Sequence, residues 1–148
     1  MAGVLEGLRI VEGSAFVAAP LGGMTLAQLG ADVIRFDDIR GGADHDRWPV
    51  ARDGTSLFWR GMNKGKRSIA VDLRHAEGRE LVAALITAPG PDAGLFLTNF
   101  PATGWLSYEG LRARRGEKEG DQVPHRSSLS YKGCAGTTAG PSLDIVTD

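Results

Sequence analysis

The sequence predicts an α/β fold, an open parallel sheet with helices laid against it. Three observations lead there. Four short apolar runs, over 8–12, 32–36, 68–72 and 94–98, are bounded by Gly, Asp or Asn, as strands are. The stretches between them repeat apolar residues at helical spacing. Strands that alternate with helices need crossover connections, which pair the strands in parallel with right-handed turns.

The first run, Leu8-Arg9-Ile10-Val11-Glu12, passes through small residues into a helix opened by Pro20. Pro is tolerated in a first turn because its missing N–H has no partner there. Leu21, Met24, Leu26, Ala27 and Leu29 build the apolar face of that helix, and Gly30 supplies a left-handed stop. The second run, Asp32 to Phe36, ends in acids. Residues 38–55 are polar, Gly-rich and charged, too long for an ordinary connection and so read as a functional or mobile loop. After the third run comes a helix over 77–87 with Leu81, Val82, Leu85 and Ile86 on one face and Pro89 beyond its end. The fourth run follows, and Ser107 is placed to N-cap a helix over 108–115.

From Gly116 the periodicity stops. A strand-like pattern returns only at Leu143-Asp144-Ile145-Val146. The chain therefore divides into an ordered 1–115 and an irregular tail over 116–148, as a truncated or frame-shifted sequence would.

Composition narrows the function. A chain of 148 residues fits one domain of roughly 100–200 residues, and 42% hydrophobic with 24% charged residues is a globular balance. A formal net charge of −1 offers no footprint for nucleic acid or an anionic membrane. No apolar run approaches the roughly 20 residues of a membrane span. The lone Cys134 rules out an internal disulfide framework, so a cytoplasmic setting is expected. His45, His75 and His125 share no ligand spacing, and no metal site is expected.

The segment 8–37 is a single βαβ unit, which sets backbone N–H groups and a helix N-terminus where an anionic nucleotide can sit. The strict G-x-G-x-x-G pattern is absent. Lys64, Lys66 and Arg67 form a basic cluster ahead of the third strand, suited to phosphate or equally to a solvated turn. Asn99 and Phe100 end the fourth strand, where open α/β sheets bind ligands and where a plain turn and core aromatic also fit.

Residues 8–37, then Asn63-Lys64-Gly65-Lys66-Arg67-Ser68-Ile69-Ala70-Val71-Asp72-Leu73, then Thr98-Asn99-Phe100-Pro101 together resemble the amino-terminal half of the family III CoA-transferases. The resemblance covers about 5–115. Val11 to Met24 and Arg47-Trp48-Pro49-Val50 resemble most the branch of that family that moves CoA within one molecule, between the two carboxyls of mesaconate.

The resemblance implies that 1–115 is a Rossmann-like CoA-binding region, the amino-terminal fragment of a large domain whose full-length relatives carry a second domain and form interlocked homodimers. It implies acyl-CoA as substrate, small dicarboxylates as partners, and no metal or redox cofactor. An aspartate attacks the acyl-CoA carbonyl, and a mixed anhydride and an aspartyl-CoA thioester follow. Position by position, it implies CoA contacts from Val17, Ala18, Asn63, Lys64, Gly65, Lys66, Arg67, Asn99 and Phe100. Asp144, followed by Ile145 and Val146, resembles the nucleophile, which in the family leads a helix; by position alone it would be a solvated acid.

Two departures stand out. Where formyl-CoA transferase carries an arginine after the second strand, this chain has Asp38, with Arg35 and Arg40 the nearest cations, and no arginine follows Asn99-Phe100 closely. A racemase of α-methylacyl-CoA thioesters and a non-catalytic CoA-binding module remain as alternative readings.

Overall fold

The structure is a computed structural model that describes residues 3–119, with side chains to 116, and the backbone of 144–146. Its elements are β1 (Arg9–Gly13), α1 (Ala18–Gln28), β2 (Asp32–Asp38), α2 (Leu57–Met62), β3 (Arg67–Val71), α3 (Ala76–Ile86), β4 (Leu95–Thr98), a 3-10 turn (Gly104–Leu106), α4 (Tyr108–Glu119) and β5 (Asp144–Val146). The sheet runs in the order β3-β2-β1-β4-β5. β1 pairs in parallel with β2 and with β4, and β2 pairs in parallel with β3. The expected α/β sheet of four parallel strands is therefore present, with β5 added antiparallel along β4.

Side-chain alternation sorts the strands into two faces. Ile10, Val33 and Leu97 point to one side, where they pack with Ala19 of α1 and with Ala31. Val11, Phe36, Val71 and Phe96 point to the other, against Val82, Ala83 and Ile86 of α3, Leu106 of the 3-10 turn and Leu111 of α4. The rings of Phe36 and Phe96 lie 6.2 Å apart, close to parallel, at the centre of that second core. Cover on both faces explains why the central strands β1 and β4 read as nearly continuous apolar runs, whereas the edge strand β3 leaves Arg67, Ser68 and Ala70 exposed.

Local chemistry accounts for the boundaries. α1 starts two residues ahead of Pro20, which leaves the proline in the first turn, where no intrahelical N–H is needed. Ser107 Oγ accepts from Gly110 N at the start of α4, and that helix continues four residues past Arg115, so the region read as irregular begins with helix. α2 was not expected from the sequence. Its signal is Ser56, whose Oγ accepts from Trp59 N as an N-cap.

The strand order creates the site. β2 and β3 lie on one side of β1, and β4 on the other. The connections leaving β1 and β4 therefore diverge to opposite faces, and in open α/β sheets such a switch point marks the ligand crevice, at the carboxyl ends of the strands.

Candidate CoA site

The rim of this crevice is built from three loops. The first follows β1. Gly13 leaves no room for a side chain, because a Cβ there would run into the Phe36 ring. Ser14 and Ala15 are buried, while Phe16, Val17 and Ala18 turn outward. Phe16 has φ of +64°, a left-handed conformation unusual for a residue with a bulky side chain. α1 then opens with Val17 at the N-cap, with no side-chain cap and no acid in its first turn. Its free N–H groups can take an anion.

The second loop follows β4. Asn99 Nδ2 donates to Ala15 O at 2.8 Å, and Ala15 N donates to Asn99 Oδ1 at 3.0 Å. One amide side chain thus clasps both backbone groups of Ala15 across 84 residues of sequence. Thr98 Oγ1 donates to Gly13 O, and Phe100 N donates to Thr98 Oγ1, which fixes the turn that carries Phe100.

The third loop joins α2 to β3. Asn63 Nδ2 donates to Trp59 O, and Asn63 Oδ1 accepts from Arg35 Nη1 and from Lys66 Nζ, each at 3.0 Å. Lys64 and Gly65 are exposed, Gly65 with φ of +78°. Lys66 turns inward. Its Nζ donates to Glu12 Oε1 and Pro20 O, both at 2.8 Å, so all three ammonium hydrogens are committed inside the protein.

A buried charge cluster ties these loops together. The side chain of Arg35 is 1% exposed and that of Glu12 is fully buried. Arg35 makes a bidentate pair with Asp37 at 2.9 Å, and its Nη2 also donates to Ser14 O at 3.0 Å and Asp44 Oδ1 at 3.1 Å. The chain of contacts Asn99–Ala15, Ser14–Arg35 and Arg35–Asn63 therefore connects 99–100 to 63–66 through one guanidinium. Burial pushes the Glu12 carboxyl above its usual range, against the opposing pull of Lys66, Ser14 and Arg35. Burial likewise lowers the Lys66 ammonium, against the pull of Glu12.

The residues expected from the sequence divide accordingly. Val17, Ala18, Asn99 and Phe100 follow β1 and β4 at the carboxyl end of the sheet, and the Asn63 side chain is tied to them through Arg35. Lys64 and Gly65 lead into the start of β3, where Gly65 faces Ala27 in the last turn of α1. Lys66 lies beneath the rim as a support whose charge is already neutralised. Arg67 is elsewhere: it begins β3, and its Nη2 donates to Asp32 Oδ2 at the start of β2, on the amino-terminal edge. The two side chains leave the chain on either side of the start of β3: Lys66 reaches in to Glu12 and Pro20, Arg67 out to Asp32. Asp38, found where an arginine was looked for, binds Arg40 at 2.8 Å.

Asp144 begins β5, with its Cα paired to that of Thr98. The resemblance implied a helix after it, but Ile145 and Val146 extend along β4, in keeping with their β-branched chemistry. Cys134, His125 and the rest of 120–143 lie outside the described residues. Among the described residues no group of three or more His, Cys, Asp or Glu is placed to hold a metal ion, and no helix is long and apolar enough to cross a membrane.

Sequence reasoning missed Glu12, Arg35, Asp37 and Asp44 as the scaffold of the site. The first two carried a signal: an acid and a base interrupt apolar strands at positions that turn out to be register partners.

Comparison with known proteins places the chain in a family. Residues 5–115 match CoA-transferase family III. The chain is 70% identical over 118 residues to 2-methylfumaryl-CoA isomerase of Chloroflexus aurantiacus, covering 79% of this chain and 29% of that protein. It is 36% identical over 119 residues to succinate–glutarate CoA-transferase of Agrobacterium fabrum, covering 73% of this chain and 29% of that one. Among solved structures, a CAIB/BAIF family protein from Brucella suis superposes with a TM-score of 0.66 at 35% identity, over 77% of this chain and 31% of that one. The chain thus spans about three-tenths of the length of these relatives. The match includes all three rim loops and the buried cluster that joins them, and the chain belongs to CoA-transferase family III.

Proposed function

We propose that this chain is the amino-terminal, CoA-holding portion of an enzyme that moves CoA between carboxylates, with 2-methylfumaryl-CoA isomerised intramolecularly. One observation carries the reading: the segment that matches the family contains the complete rim, and Asn99 and Arg35 lock its three loops into one surface. The anionic part of CoA has the uncapped start of α1 and the exposed Lys64 to meet it. Asn63 and Lys66 shape the floor through their internal bonds.

In the proposed reaction a carboxylate attacks the thioester carbonyl and expels the CoA thiolate, leaving a mixed anhydride. The thiolate attacks the enzyme's half of that anhydride, which releases the substrate carboxylate and leaves an enzyme-bound thioester. The second carboxylate of the same molecule then attacks that thioester, and the thiolate returns to its new acyl partner, regenerating the free enzyme acid. Asp144 is our candidate for the enzyme acid, supported by a register that sets it across from Thr98, next to Asn99. The full-length protein is expected to be a homodimer.

Calorimetry with CoA, followed by an assay of 2-methylfumaryl-CoA isomerisation, tests the reading. Saturable binding and turnover that Asp144→Ala abolishes are expected. Binding without turnover would leave a CoA-binding module, racemisation without a carboxylate acceptor would point to racemase chemistry, and no binding would defeat all three.

A further inference from the structure

We infer that Arg47 recognises the free carboxylate of a dicarboxylic monothioester, held out at the rim between the rings of Phe16 and Phe58. The guanidinium carbon lies 5.2 Å from the Phe16 centroid and 4.8 Å from the Phe58 centroid. Aromatic stacking engages a guanidinium by its faces and leaves the N–H edge for a planar acceptor, and a carboxylate fits that edge bidentately. Among the described residues the Arg47 side chain has no hydrogen-bond or ion-pair partner, whereas Arg35 is committed to the buried cluster and Arg40 to Asp38.

The residue is also held in place. Arg47 N donates to Asp44 O, and Asp44 is clamped by Arg35. Ser56 Oγ donates to Arg47 O at 2.5 Å, and Ser56 is itself the buried cap of α2. Phe16 reaches the guanidinium from the loop after β1, in the left-handed conformation noted above, the kind of local strain that collects at ligand sites. Around Arg47, Trp48, Val50 and Leu57 expose apolar surface. A cation stacked between two aromatic rings suits a short hydrocarbon chain that ends in a carboxylate better than it suits a hydrated pyrophosphate.

The inference rests on the acyl-CoA reading above, and the experiment separates the two. The 148-residue chain is titrated by calorimetry with CoA, with butyryl-CoA, and with succinyl-CoA, which differ in acyl charge. The wild type is expected to prefer succinyl-CoA to butyryl-CoA by about tenfold or more, the worth of a charge-assisted hydrogen bond. Arg47→Met is expected to abolish that preference while CoA and butyryl-CoA bind as before, which also shows that the variant is folded. Arg47→Lys is expected to recover part of it. An equal loss for all three ligands would assign the guanidinium to a CoA phosphate and overturn the inference. So would an unchanged preference in Arg47→Met, or a wild type that binds CoA without discriminating acyl groups. Absence of any CoA binding to the wild type would instead defeat the CoA reading and remove the carboxylate assignment with it.

Discussion

Glu12 and Arg35 stand at paired positions on adjacent strands, with Lys66 reaching over to the same carboxylate. Charges this deep contribute little net stability as a set, but removing one member strands the others without a partner. Lys66→Met is expected to cost about 3–5 kcal/mol in urea unfolding. Adding Glu12→Gln to it is expected to recover most of that loss, a coupling that a double-mutant cycle measures. The pH dependence follows from the direction of the shift. Burial raises the Glu12 carboxyl, so its contribution is fully present below 4.5 and declines as pH rises through the raised value. Without Lys66 the carboxyl rises further, and the deficit of Lys66→Met against wild type is expected to be smaller at pH 4 than at pH 7. Asp72 is the opposite case. Hydrogen bonds from Arg74 lower it to about 2, so the stabilisation it gives is present above its ordinary 3.8 and disappears as pH falls through 2. Asp72→Asn is expected to matter at pH 7 and to lose most of its effect by pH 2 in acid unfolding. At this scale the sequence was only partly legible. Asn99 could be picked out because it ends a strand, whereas Arg35 could not, since nothing local shows that its partners come from 37, 44, 63 and 14.

At the scale of elements, α1 is the piece that carries the crevice. Its neighbouring glycines serve different ends. Gly22 has open space around it, while Gly23 is buried against β1, where a methyl would meet the Glu12 carboxylate. Helical glycines usually cost about 0.5–1 kcal/mol relative to alanine. Gly22→Ala is therefore expected to stabilise the chain by about that amount. Gly23→Ala is expected to destabilise it by about 1–3 kcal/mol through overpacking, with both read from thermal or urea midpoints. Strands and the helices α1 and α3 were legible from periodicity to within a residue or two, because a buried two-faced sheet demands apolar runs, whereas α4 runs four residues past its expected end. α2 was not, since six residues give less than two turns of periodic signal, and only its cap was visible. Nor was the division of Lys66 from Arg67. Adjacent cations look like one patch in a sequence, yet Lys66 turns in to Glu12 while Arg67 turns out to Asp32.

For the molecule as a whole, function depends on strand order rather than on any one motif. Placing β4 beside β1 makes the crevice, and the clasp of Asn99 on Ala15 is the contact that unites the two halves of the rim. Alternating strands and helices announced a parallel sheet, but this order depends on contacts between residues 84 positions apart that no local pattern encodes. The account's central claim is that CoA lies on the surface formed by 14–18, 63–65 and 98–100. Mapping backbone amide shifts of the isotopically labelled chain during a CoA titration tests it most directly. Saturable shifts concentrated in those three segments are predicted. Shifts confined to the amino-terminal edge around Asp32 and Arg67, or to the α3–α4 face, would contradict it.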